Sequence, residues 1–206
     1  MADPPPAAPV AAPTPAGLAG RYDGGQMEIA AELDLGSDGR FHYALSYGAL
    51  DEEAQGGWLV DGAQVRLTSD TVTPPRFALV ATQPLPAHRL RLTLDLPAGM
   101  DQQYFDVRVR LASGRTIDRQ LGEHGLDLPL GPTDRVVSVQ LQLPVYDFQG
   151  DAIPLPAAPG VSVRLRFDPN DLGHVAFTHT PLLIGPDGLA LERYGRTLTF
   201  RRSPAE

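Results

Sequence analysis

The chain has 206 residues, 42% of them hydrophobic and 20% charged, an ordinary globular composition long enough for one large β domain or two small ones. A formal net charge of -8 gives a surface that repels nucleic acid and anionic lipid, which argues against a protein that tracks a phosphate backbone. Cysteine is absent, removing disulfides, thiolate metal sites and a cysteine nucleophile together, and no apolar run approaches the roughly 18 residues of a membrane span.

Pro and Gly number 21 each, as expected where many strands are joined by tight turns. All 17 basic residues are arginine and Asn170 is the sole asparagine, which fits the codon bias of a GC-rich bacterium.

In chain order, residues 1–17 are almost only Ala and Pro and predict an extended, semi-rigid tether. They hold neither the charged nor the apolar region of an export signal. Such a tether before a β domain suggests a periplasmic or cell-surface protein whose signal or anchor has been removed. Alternation then begins: Met27, Ile29, Ala31, Leu33 and Leu35 are followed by Ser37-Asp38-Gly39 and by Phe41, Tyr43, Leu45 and Tyr47. Period-two alternation around an Asp-Gly turn is a hairpin signature. Leu50–Gln55 reads as a single helical turn between strands, and Trp58–Val60 and Gln64–Arg66 as short strands.

Four longer strands follow, each apolar on one face: Leu90 to Leu96, Phe105 to Leu111, Val137 to Leu143 and Val161 to Phe167. Val137, Val139, Leu141 and Leu143 form the apolar face of the third. Leu189–Glu192 and Thr197–Arg201 complete the set. Asp61-Gly62, Ser113-Gly114, Gly131-Pro132, Asp187-Gly188 and Tyr194-Gly195 mark turns.

Proline clusters at 73–75, 84–86 and 154–159 suggest seams. The expected architecture is all-β and antiparallel throughout, a barrel module plus a small β-sandwich module. The barrel comprises residues 18–80 plus 161–206, and the sandwich, 85–157, is inserted. A sheet that closes needs a partner for its first strand, which the C-terminal hairpin supplies. A single continuous sandwich is the alternative.

Gly20-x-Tyr22, Met27-Glu28, Leu33-x-Leu35-x-x-Asp38-Gly39-Arg40-Phe41-x-Tyr43, Tyr47-Gly48-x-x-Asp51, Gly57-Trp58 and Val65-x-Leu67 resemble small lipocalin-like barrel domains of uncharacterised exported bacterial proteins. The resemblance covers roughly residues 18–70 and implies a barrel fold, with no catalytic residues to carry over. The middle module resembles immunoglobulin-like or carboxypeptidase-regulatory-like sandwiches, without the Cys pair and core Trp of antibody domains.

Candidate sites are few. Tyr22, Phe41, Tyr43, Tyr47 and Trp58 concentrate aromatic residues in the barrel module. They line an apolar ligand pocket or fill a packed core. His174 and His179 lie five apart, on opposite faces of a strand, and do not share a metal; His42 faces solvent. Asp168-Pro169-Asn170-Asp171-Leu172-Gly173 has the oxygen donors of a calcium loop and also the composition of a turn, the favoured reading. Asp51-Glu52-Glu53 reads as a solvated loop. Asp147 and Asp151 frame a turn or flank a sugar. No nucleophile elbow, zinc helix or phosphate loop is present.

These features predict no catalytic residue, metal or cofactor. They predict a non-enzymatic exported protein that binds a small apolar ligand or an envelope protein partner. The alternatives are a structural interaction module without ligand, or a glycan-acting hydrolase using carboxylates the sequence does not identify.

Overall fold

A computed structural model describes residues 14–86, 88–156 and 158–204. The chain divides into two compact units, one made of residues 1–72 and 173–206, the other of residues 73–172. Most of the tether expected at 1–17 lies outside the described residues. Pro15–Leu18 form one helical turn, α1, rather than extended chain, with Thr14 as its N-cap.

The strands run β1 (Gly20–Asp23), β2 (Ile29–Leu35), β3 (Arg40–Tyr47), β4 (Leu50–Asp61) and β5 (Gln64–Ser69) before the second unit begins. That unit holds β6 (Arg76–Pro84), β7 (Arg89–Asp95), β8 (Asp106–Leu111), β9 (Thr116–Gln120), β10 (Leu126–Pro129), β11 (Val136–Leu143), β12 (Phe148–Gln149), β13 (Ile153–Pro154) and β14 (Val161–Asp168). The chain returns to the first unit through β15 (Thr180–Gly185), β16 (Gly188–Arg193) and β17 (Arg196–Arg202).

In the first unit eight strands close an antiparallel barrel in the order β1-β17-β16-β15-β5-β4-β3-β2. Closure leaves no free sheet edge, and the C-terminal strand pairs with the first through Tyr22–Arg202. The alternation dictates which side chains turn inward: Ala31, Leu33 and Leu35 on β2, Phe41, Tyr43 and Leu45 on β3, Val65 and Leu67 on β5 and Leu198 and Phe200 on β17 are all buried. Met27 precedes β2 and is 88% exposed, so the buried face begins at Ile29.

The Leu50–Gln55 stretch is strand, not helix. Its register against β3, from Tyr47–Leu50 to Arg40–Gly57, decides this over the helix-forming composition of LDEEAQ. At Gly56 the strand crosses close to β5, and a Cβ there would run into the Thr68 carbonyl oxygen. β5 stops at Ser69, leaving the first half of β4 with an open side. Residues 173–177 take that place: the Glu53 amide donates to the Gly173 carbonyl at 2.9 Å, and the Val175 amide to the Glu53 carbonyl at 2.7 Å.

The second unit is a sandwich of one sheet ordered β10-β7-β14-β6 and another ordered β12-β11-β8-β9, with β13 also on β11. Leu90, Leu92, Leu94, Phe105, Val107, Val109, Val139, Leu141, Val163, Leu165 and Phe167 form one buried cluster from both sheets. Two expectations are corrected here. Residues 161–168 belong to the sandwich, because β14 pairs with both β6 and β7, and β6 carries residues 76–84 into the same sheet. The β7–β14 pair is parallel, so the protein is not antiparallel throughout. Along β11 a bulge between Val136 and Ser138 shifts the pattern, burying Val136 in place of Val137.

Candidate functional site

Inside the barrel, near the ends of β3 and β16, four polar side chains meet an aromatic group. Glu52 is on the inward face of β4, in line with Leu50 and Ala54, and its side chain is 6% exposed. Arg193, the last residue of β16, follows Leu189 and Leu191 on the same inward face. Its Nη2 donates to Glu52 Oε1 at 2.6 Å and its Nε to Oε2 at 3.2 Å, a two-point guanidinium–carboxylate pair. The Tyr194 hydroxyl also donates to Glu52 Oε1.

Tyr194 and Gly195 form the two-residue turn from β16 to β17, with φ of 52° and 68°. Two positive φ values fit the hairpin turn that right-twisted strands prefer, and Tyr194 occupies a position where Asn or Gly is usual. The Arg193 guanidinium lies 4.6 Å from the Tyr194 ring centroid and 6.0 Å from that of Phe177.

Phe177 is delivered by the returning segment. The Ser69 hydroxyl donates to the Val175 carbonyl at 2.8 Å and accepts from the Phe177 amide at 3.0 Å. The ring stands edge-on to Tyr43, centroids 5.2 Å apart, and 6.1 Å from Phe41; Phe200 lies 6.3 Å from Tyr43 on another side. Tyr43 is fully buried, and its hydroxyl makes no hydrogen bond of ordinary length and angle, its electrostatic partner being Arg193. An unpaired buried hydroxyl is uncommon and costs about 1–3 kcal/mol.

Protonation follows from these surroundings. Burial raises the Tyr43 phenol well above its ordinary range, and the Glu52 charge adds to this while Arg193, through its charge and a weak hydrogen bond, opposes it. Tyr194 is pushed up to about 12, first by burial, then by its bond to Glu52. Burial works against the charge on Arg193, but hydrogen bonds and charge from Glu52 outweigh it, so the guanidinium is held cationic more firmly than usual.

The five aromatic residues expected to line a pocket or fill a packed core lie in different places. Phe41 and Tyr43 are in the group just described. Tyr22 is buried elsewhere, its hydroxyl donating to the Leu18 carbonyl at 2.6 Å. Trp58 is buried, and its indole Nε1 donates to the Gly36 carbonyl at 2.9 Å, pinning the turn between β2 and β3. Tyr47 is 41% exposed at the end of β3, with the Arg196 guanidinium 5.9 Å from its ring centroid.

Glu52 corrects the reading of 51–53 as a solvated loop: Asp51 and Glu53 face outward, Glu52 inward. Its signal was its place in the series Leu50, Glu52, Ala54, Trp58. In the 168–171 loop, Asp168 accepts from Arg166 and Arg76, Asp171 accepts from the Thr73 amide, and Asn170, at φ 44°, donates to the Pro74 carbonyl. Those oxygens are spent on a turn. Asp147, in the left-handed region, caps a 3-10 turn of residues 144–146.

An open groove of about 1150 Å³ lies along the outside of β1, β2, β3 and β17, lined by Arg21, Asp34, His42 and Arg202 among others. It is separate from the internal cluster.

Fold and site together define a two-unit all-β protein whose barrel holds a charged, aromatic-walled group. No family model matches the chain, and no curated protein or solved structure was found to match it.

Proposed function

We propose that the protein is a non-catalytic binding protein of a bacterial envelope, taking a small, largely apolar ligand at the Phe177 end of its barrel. The observation that carries this reading is the wholly buried Tyr43 hydroxyl, whose O–H makes no hydrogen bond of ordinary geometry. A wholly buried hydroxyl donor among aromatic rings suits a molecule that brings it an acceptor. The aromatic walls of Phe41, Phe177 and Phe200 supply the apolar contact such a ligand needs. A hydrolytic reading lacks its acid pair, because Glu52 is tied to Arg193 and its neighbours face solvent. Export is proposed from the Ala/Pro-rich residues 1–17.

The test is native mass spectrometry of protein purified without denaturant, set against its denatured mass. A retained adduct of small-molecule mass supports the reading, and the Phe177→Ala variant should lose it. A bare mass together with no ligand from an envelope extract would refute it.

A second reading has its own observation. β6 ends the order of its sheet, and Leu79 and Val80 on it are 45% and 47% exposed. Such a strand suits contact with a protein partner.

A further inference from the structure

The formal charge of -8 is unevenly held. The barrel unit has seven arginines against fourteen acidic residues, whereas the sandwich unit has ten against eleven. Half of those ten stand on one surface, the outer face of the sheet ordered β10-β7-β14-β6. The leucines of β7 and the apolar series of β14 turn inward, so Arg89, Arg91, Arg164 and Arg166 turn outward. Arg76 on β6 lies opposite Asp168 and shares that face. The four strands contain only three carboxylates, Asp95, Asp127 and Asp168.

Register sets these arginines in a line. Along β14, Arg76 is level with residue 168, Arg166 and Arg164 follow on β14 itself, and Arg91 on the parallel β7 is level with residue 162. Arg89 is one step further. Each step is two residues, about 6.6 Å of strand, so the five cations form a diagonal row on the order of 26 Å long.

The carboxylates steady this row and leave it a surplus of positive charge. Each arginine makes its closest ion pair through Nε: Arg76 and Arg166 with Asp168 at 3.0 and 2.7 Å, Arg164 with Asp95 at 2.9 Å, and Arg89 and Arg91 with Asp127 at 2.9 and 3.6 Å. Arg166 Nη2 also donates to Asp168, at 3.2 Å. The arginine side chains are 37–68% exposed. A guanidinium held by Nε keeps the edge formed by its two terminal nitrogens for a further oxyanion, in the two-pronged geometry that carboxylate and sulfate fit. A straight row of such forks matches a linear polyanion. Phe77 and Phe167, the aromatic residues of these strands, pack with the core, so the face has no ring on which a nucleobase would stack and no aromatic anchor for a protein partner.

We propose that this row is a docking surface for a linear acidic polysaccharide, a chain of sugars bearing carboxylate or sulfate groups, laid along the diagonal from Arg76 to Arg89. The surface belongs to the sandwich unit and does not depend on a ligand in the barrel.

The test uses the full chain with labelled oligogalacturonate and dextran sulfate, followed by fluorescence anisotropy, with neutral dextran, oligothymidylate and polyglutamate for comparison. At least one acidic glycan should bind in about 50 mM salt and weaken about ten-fold or more in about 200 mM, and neutral dextran should not bind. Binding of the galacturonate alone assigns carboxylate, and of dextran sulfate alone sulfate. Arg91→Gln with Arg164→Gln should cost about ten-fold, whereas Arg108→Gln with Arg110→Gln, an equal change of charge on the other sheet, should cost nothing. Arg91→Lys with Arg164→Lys keeps the charge but not the forks, and should also lose affinity while circular dichroism stays that of the parent. Failure of both acidic glycans to bind in low salt, or equal losses in the two glutamine variants, overturns the proposal. Tighter binding of oligothymidylate or polyglutamate overturns the choice of a glycan.

Discussion

The Glu52–Arg193 pair is testable by a double-mutant cycle with Glu52→Leu, Arg193→Met and the double variant. The Glu52 side chain is 6% exposed and that of Arg193 26%. Breaking a fully buried pair costs about 3–5 kcal/mol, mostly from the charge left behind. The two halves are unequal here. Without Arg193 the carboxylate is stranded among Leu50, Ala54 and aromatic rings, so Arg193→Met should cost about 3 kcal/mol. Without Glu52 the guanidinium can turn toward the water it already touches, so Glu52→Leu should cost about 2 kcal/mol. Apolar replacement of both leaves no buried charge, and the double variant should lie within about 1 kcal/mol of the parent. The coupling would then be about 4 kcal/mol. Trp58 is the only tryptophan and is buried in the barrel, so its fluorescence during urea unfolding reports on this unit. With a slope of about 2 kcal/mol per molar urea, Arg193→Met lowers the midpoint by about 1.5 M. Single losses below about 0.5 kcal/mol, the level of a surface pair, or additive losses in the double variant, would refute the claim that this pair is buried and coupled.

Removing the buried Tyr43 hydroxyl should not harm the fold: Tyr43→Phe should leave stability unchanged or raise it by up to about 1 kcal/mol, read as a higher Trp58 unfolding midpoint. Of the six tyrosines, Tyr22, Tyr43 and Tyr194 should ionise late in an ultraviolet absorbance titration. Their raised folded values mean that the stability they add is whole below the ordinary phenol value of about 10, and is lost as pH rises through the Tyr194 value of about 12. Circular dichroism should therefore show alkaline unfolding in that window, and six phenols titrating together near pH 10 would contradict it. Gly56→Ala should destabilise the barrel by about 3 kcal/mol, because the new methyl meets backbone rather than a movable side chain. In the sandwich, Leu165→Ala should cost about 2–5 kcal/mol by calorimetry, Leu165 being wholly buried among both sheets.

The sequence spelled out the longer alternating strands and the return of the C-terminal hairpin to the first strand, but few other pairings. Alternation in 29–47, 90–96, 105–111 and 161–167 marks strands with one buried face, and the described strands carry those faces except at Tyr47, which is exposed at the end of β3. Alternation says nothing of direction, so the parallel run of β14 beside β7 was not legible, nor was the sheet that 161–168 would join. β6 escaped notice because Phe77-Ala78-Leu79-Val80-Ala81 is apolar at every position, as an edge with one bulge permits.

The site was half legible. Phe41 and Tyr43 stood in plain alternation, whereas Glu52 was hidden by two acidic neighbours and a helix-forming composition. Phe177 sits in an irregular stretch whose place is fixed by Ser69, more than a hundred residues earlier. No local pattern encodes such a meeting.

The inserted arrangement has a consequence for the order of events in folding. β1 to β5 cannot complete a barrel until β15 to β17 exist, and the hundred residues of the second unit are made in between. For a floppy connection of that length, bringing the two halves together costs about 4 kcal/mol in chain entropy. A folded insert removes most of that cost, because its own ends are clipped side by side: the Thr73 amide donates to Asp171 Oδ2 at 2.8 Å, and the Asp171 amide to the Thr73 carbonyl at 3.1 Å. A sandwich that folds first therefore keeps the chain leaving β5 and the chain leading to β15 close together. Lesions deep in the sandwich should then slow barrel closure without touching a barrel residue, and the aromatic end of the barrel, completed by Phe177 and Arg193, should be the last part of the protein to mature.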